Sequence, residues 1–261
     1  MDKELWLKSY PQGVPHEIDP GRYASVVDVF RRACAKFAQK PCFTNMGVTL
    51  SFAEVERLSQ QFAAYLSQDL GLTKGDRIGL QMPNVLQYPV ALFGALRAGL
   101  TVVNTNPLYT PREMEHQYRD ASVKAVVTLE NFAANLQEVW TAIDRPKVIV
   151  TGLGDLFPTP KRQIVNLVVR YVKKMVPAYD IPGMVSMREA LARGARHSQF
   201  EDVKLDPEGL AFLQYTGGTT GVAKAAMLTH RNLVANMEQA SAWMGPSFVE
   251  GEEIVMSPLP L

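Results

Sequence analysis

Residues 215–226 read YTGGTTGVAKAA and follow the apolar run LAFLQYT of residues 210–216. Glycine accepts positive φ and lets backbone approach a ligand closely. Successive amides in such a turn form an anion-binding concavity. Thr216, Thr219 and Thr220 add hydroxyl donors, and Lys224 adds a mobile positive charge. This mixture suits the gripping of a polyphosphate. A merely structural glycine loop is the alternative, and it leaves the threonines and the lysine unexplained.

Two common nucleotide patterns do not fit. A Walker A loop needs glycine before its lysine and Ser or Thr after it. Ala223 and Ala225 occupy those positions, so no hydroxyl follows Lys224 to hold magnesium in that way. A dinucleotide fingerprint needs glycine two residues before Gly218, where Thr216 stands. The other reactive side chains are sparse. His16, His116 and His197 lie in polar or helical surroundings without a paired carboxylate pattern and read as surface residues. His230 either caps the helix that follows it or contacts ligand, and the structural role is the expectation. Cys34 and Cys42 offer neither a zinc ligand set nor a CxxC pair, so both read as small, half-buried side chains in a reducing compartment.

Alternating elements must position the loop. Ser51 followed by Glu54 is a capping box ahead of a helix that stops at Gly71, and Thr110 with Pro111 opens another helix. Helices are predicted over 23–39, 84–100, 131–143 and 229–245, with a hairpin at 41–52 turning at 45–47. Strands are predicted at 76–83, 101–107, 124–129, 147–152, 210–216 and from 252 onward. Val-rich strands alternating with helices imply an α/β fold of mixed or parallel stacked sheets with flanking helices. Residues 153–208 break this rhythm with prolines and a basic helix, as an insertion or subdomain boundary would.

Net charge is +1 over 261 residues, so no basic excess points to nucleic acid. No run of eighteen apolar residues spans a membrane, and the amino terminus lacks a signal-peptide core. Residues 160–179, PKRQIVNLVVRYVKKMVPAY, place Arg162, Asn166, Arg170, Lys173 and Lys174 near one helical face. Val165, Val168, Val169, Val172 and Val176 fall on the other. Such a helix either packs on the domain or lies on an anionic membrane through residues 161–176.

YTGGTTGVAKAAMLTHRNL resembles the phosphate loop of the adenylate-forming (AMP-binding) superfamily. Stretches 75–99, 102–117 and 164–179 are similar to the amino-terminal half of bacterial long-chain fatty-acid–CoA ligases. The resemblance implies ATP-dependent conversion of a long-chain fatty acid to acyl-adenylate and then acyl-CoA. ATP, magnesium and coenzyme A are the implied cofactors, with a homodimer common in the family. It places Tyr215, Thr216, Gly217, Gly218, Thr219, Thr220, Gly221 and Lys224 around the phosphates, with Lys224 and Thr216 catalytic, although Tyr215 also suits packing at the strand end. No metal ligand is assigned. Residues 1–261 would be a partial AMP-binding domain without the carboxy-terminal lid, giving little or no complete turnover. The alternative is a non-catalytic module that keeps nucleotide or membrane binding. Location is expected to be cytoplasmic, with peripheral attachment to the inner membrane. One position departs from the family pattern: Ala225 stands where glycine is usual. If that backbone needs positive φ the methyl costs about 1 kcal/mol or more, and otherwise the change is nearly silent.

Overall fold

The computed structural model describes residues 5–216 and 223–257. The Val-rich segments form parallel strands that are buried on both faces. They are β3 (Arg77–Gln81), β4 (Thr101–Asn104), β5 (Ala125–Leu129) and β6 (Lys147–Thr151). With β7 (Val185–Ser186), β8 (Leu210–Thr216) and β9 (Lys224–Thr229) they make a seven-stranded sheet ordered β7-β6-β5-β3-β4-β8-β9. All neighbours are parallel except β9, which returns antiparallel to β8. A separate hairpin joins β1 (Pro41–Asn45) to β2 (Val48–Ser51).

Helices cover both faces, as an all-buried parallel sheet requires. On one side pack α1 (Val26–Phe37), α2 (Phe52–Ala64), α3 (Gln87–Arg97) and α7 (Met187–Gly194). On the other pack α4 (Pro111–Asp120) and α5 (Ala133–Val139). Strand alternation sorts the side chains: Ala125 and Val127 of β5 enter the first core and Val126 enters the second. The expected capping box and the expected Thr110 cap both form, the latter as a second capping box. Ser51 and Glu54 exchange bonds at the start of α2, and Thr110 and Glu113 do so at α4, with Pro111 at its first position. Gly71 ends the α2 segment with φ +68°.

Residues 153–208 contribute α6 (Lys161–Leu167), β7 at the sheet edge and α7. The following polar stretch straps across α3. Arg97, nearly buried, donates to Asp202 at 2.7 Å, the Glu56 carbonyl at 3.0 Å and Ser59 Oγ at 3.1 Å.

Four expectations are corrected. Residues 252–257 carry no strand, because no described strand pairs with them, and Ile254 is 97% exposed. The 131–143 helix is shorter, α5 being preceded by a 3-10 turn at Glu130–Phe132 and followed by left-handed Asp144 and Arg145. His197 is half-buried and pairs with Asp69 at 2.7 Å, a contact between residues far apart in sequence. The basic helix also presents different faces. Its second half, Val168–Val172, is a π turn, which admits one extra residue and rotates whatever follows. Ahead of that turn Asn166 already faces inward, donating to Asp155 at 2.9 Å and accepting from the Gly154 amide at 2.7 Å. Arg170 pairs with Glu130.

Cys34 is buried and Cys42 half-buried, both as free thiols. Burial pushes each thiol up to about 12. Neither is expected to react with Ellman's reagent at pH 8 in the folded protein, and both should titrate once urea unfolds it. Rapid labelling of either thiol under native conditions would contradict their placement.

Candidate functional site

The loop's two stems are neighbouring strands. β8 delivers Thr216 and β9 opens on Lys224, and the antiparallel register sets these two residues opposite each other. Both are exposed. Alternation places Thr216 and Lys224 on one sheet face, with Tyr215 and its partner Ala225 on the other. A hydroxyl and an ammonium thus stand opposite each other at the hairpin mouth. Gly217, Gly218, Thr219, Thr220 and Gly221 lie outside the described residues.

Ala225 resolves the one departure from the family pattern. It sits in regular strand pairing and is absent from the described residues of left-handed backbone. The methyl is therefore the nearly silent case, packing against the second core beside Leu213 and Tyr215.

Helix α4 backs the hairpin. Tyr215 is 7% exposed and donates its hydroxyl to Asp120. Burial and that carboxylate both raise its pKa. Tyr215 therefore packs at the strand end, on the face away from Thr216. His116 Nε2 lies 3.3 Å from the Ala223 carbonyl, one residue before Lys224. A cleft of about 390 Å³ is bordered by His116, Asp120, Tyr215, Ala223 and Lys224. The long Lys224 side chain reaches it from the strand end. His116 is exposed, as the sequence implied, but it is engaged rather than idle.

Thr229 supplies the N-cap of α8 (His230–Met244), accepting from Asn232 N, so His230 is the first helical residue. His230 is 2% exposed, and burial with the Lys74 charge depresses its pKa. Thr229, not His230, therefore caps the helix, and His230 is a buried residue of its first turn. On the Thr216 face of the sheet an apolar cleft of about 350 Å³ is lined by Phe43, Leu92, Phe93, Phe212, Leu228 and Leu233 among others. Its polar border is the bonded row from Tyr88 OH to Asn104 Oδ1 at 3.0 Å and Asn104 Nδ2 to Gln214 Oε1 at 3.2 Å.

The profile of the AMP-binding enzymes matches residues 30–261, through the hairpin and both flanking helices. The chain belongs to the AMP-binding enzyme family. Within that family it is 54% identical over 259 residues to a long-chain-fatty-acid–CoA ligase of Escherichia coli O6:H1, covering 99% of this chain and 46% of that protein. The corresponding ligase of Bacillus subtilis is 34% identical over all 261 residues, again 46% of its length. The chain thus spans about half the length of the curated relatives it matches. A long-chain-fatty-acid–CoA ligase from Archaeoglobus fulgidus superposes with a TM-score of 0.67 at 26% identity, covering 90% of this chain and 42% of that one. An anthranilate–CoA ligase in complex with anthranoyl-AMP shares the fold at 19% identity and a TM-score of 0.65, covering 80% and 35%.

For AMP-binding enzymes the implied magnesium can be set against the described side chains. Among the described residues no group of three or more His, Cys, Asp or Glu could hold a metal. Asp120, the carboxylate bordering the Lys224 cleft, already accepts the Tyr215 hydroxyl. These residues do not form a magnesium site.

Sequence reasoning missed β9 and the contacts of His116 and Asp120. The strand KAAMLT is short and weakly alternating, and both α4 contacts join residues about a hundred positions apart. Only the i, i+4 spacing of His116 and Asp120 hinted at a shared face.

Proposed function

We infer that this chain supplies the polyphosphate-gripping part of an ATP-dependent long-chain fatty-acid–CoA ligase. The observation that carries this reading is the cross-strand pairing of Thr216 with Lys224 at the mouth of the glycine hairpin. In the reaction a fatty-acid carboxylate attacks the α-phosphorus of ATP, giving acyl-adenylate and pyrophosphate, and the coenzyme A thiol then displaces AMP. Activation is needed because a carboxylate has only oxide to lose, whereas a mixed anhydride loses AMP.

The protein's contribution to the first step is positional and electrostatic. Lys224 neutralises charge on the β- and γ-phosphates, and Thr216 donates to the same group. Magnesium would offset phosphate charge, and no described side chain is assigned to hold it. The apolar cleft beside Phe212 offers an alkyl chain an environment on the same sheet face as the phosphate grip. The 261 residues are expected to bind ATP without completing turnover. Titration calorimetry with ATP tests the grip, and absence of heat at millimolar nucleotide would sink it. Pyrophosphate release from oleate and ATP by these 261 residues would overturn the second part.

The same reading extends to location at an anionic membrane surface, where a long-chain acid partitions. Ile164, Leu167 and Tyr171 are each more than half exposed and recur at helical spacing, with exposed Met175 just beyond the helix end. Val165 and Val169 point inward. Lys161, Arg162, Lys173 and Lys174 accompany the outward stripe, and Lys174 closes the helix with φ +52°. An apolar stripe among cations suits an anionic bilayer. No helix of the described residues is long and apolar enough to cross one. In flotation with phosphatidylglycerol vesicles, Lys173→Glu with Lys174→Glu is expected to move most of the protein out of the lipid fraction. Undiminished flotation would refute the surface.

A further inference from the structure

Helix α4 has one face sunk in the second core, where Met114, Gln117 and Tyr118 are each at most 2% exposed. Its amino terminus is fixed by the Thr110–Glu113 capping box. The helix is therefore a firm platform. Its outer edge carries His116 and Asp120, one turn apart and on the same side. Each touches a different stem of the β8–β9 hairpin, immediately before the residue that faces the mouth. Asp120 takes the Tyr215 hydroxyl next to Thr216, and His116 meets the Ala223 carbonyl next to Lys224. A carbonyl only accepts, so the imidazole carries its proton on Nε2 there.

We propose that His116 and Asp120 are positioning residues that hold the hairpin stems at the spacing where Thr216 and Lys224 serve one phosphate group. Neither touches the ligand; they act through the two strands. Among the described residues β9 is the sheet's last strand and pairs only with β8, so no other described strand fixes its register at the mouth. The α4 contact supplies that constraint from below the sheet. The proposal rests on the hairpin being a polyphosphate site.

The test pairs ATP titration with amide hydrogen exchange over residues 213–226. His116→Ala is expected to weaken ATP binding about five- to tenfold, the size of one lost hydrogen bond transmitted to the ligand. It should also quicken exchange at 223–226. His116→Gln keeps an N–H donor and should restore both readouts to within about twofold of the native chain. Tyr215→Phe should do at the first stem what His116→Ala does at the second. Because His116 is exposed, its replacement should leave the thermal midpoint in place. Loss of the Ser51 cap serves as the control, lowering the midpoint without changing ATP affinity. Unchanged affinity and exchange in His116→Ala and Tyr215→Phe would overturn the proposal. If the unmodified chain takes up no ATP, the polyphosphate reading fails, and exchange at the stems alone decides the pinning.

Discussion

Lys224→Ala is expected to weaken ATP binding by about ten- to a hundredfold, the loss typical of one charge-assisted phosphate contact. Lys224 is exposed at the first position of an edge strand, so its removal should shift unfolding free energy by less than about 0.5 kcal/mol. Binding and stability would therefore separate. Lys224→Arg should recover part of the affinity, because the charge is kept while the reach and donor geometry change. Thr216→Ala should cost less, about fivefold, since a neutral hydroxyl donor makes the weaker bond. The affinity of the native chain should also fall as salt rises, and more steeply than that of Lys224→Ala, because screening acts on the removed charge. If ATP is captured equally well after Thr219, Thr220 and Lys224 all become alanine, the hairpin is not the grip.

Gly194→Ala should be the most damaging single methyl in the described fold. An added Cβ would fall 1.8 Å from the Gln61 carbonyl oxygen and 3.1 Å from the Tyr65 nitrogen. Those are backbone atoms of α2 and the π turn that extends it (Tyr65–Asp69), so no rotamer change relieves the clash. Helix α7 would have to lift from α2, opening the core where Met187 and Ala190 are fully buried. The expected cost is about 3 kcal/mol or more, above the usual range for overpacking. Gly94→Ala is the instructive comparison. Its Cβ would meet Phe62 side-chain atoms at 2.8 and 2.9 Å, along with the Ser59 carbonyl at 3.0 Å. Ring movement relieves only the Phe62 Cδ1 contact, since Phe62 Cβ and the Ser59 carbonyl are fixed by α2. The overlap is still about 1 Å less than at Gly194, so a smaller loss is expected. Gly245, with φ −49° and nothing but its chain neighbours within 4 Å, should accept alanine at the smallest cost of the three, set by the Pro246 ring that follows it. Urea unfolding ranks the three, and a Gly194→Ala midpoint equal to that of Gly245→Ala would reject the close approach of α7 to α2.

What the sequence disclosed was mostly local. The Ser51 capping box, the Thr110 cap, the turn at 45–47 and the bounds of β8 follow from residues within a few positions of one another, and each formed. The parallel α/β architecture followed from Val-rich segments alternating with amphipathic ones. Features that depend on distant partners were hidden. β9 is a strand because β8 lies beside it, while 252–257 has comparable apolar character and no described strand to pair with. On the basic helix Asn166 turns inward to Asp155 and the Gly154 amide, partners distant from its own turn, while Ile164, Leu167 and Tyr171 are left exposed, an arrangement that periodicity alone did not disclose. At the site, the types of Thr216 and Lys224 were legible, but their cross-strand pairing and the α4 contacts were not. The identity of a side chain is written locally, and its company is decided by topology.

The reversed strand at the sheet margin has a consequence for how such a protein can change over time. Both stems belong to one short excursion of chain at the sheet margin, and their alternate residues divide the work: Tyr215, Ala223 and Ala225 pack with the second core, while Thr216 and Lys224 are exposed. Substitutions at the two exposed positions can alter selectivity or strength of capture while the interior packing stays as it was. The outward half of the grip is free to be retuned for new cargo, and the inward half holds it to the architecture.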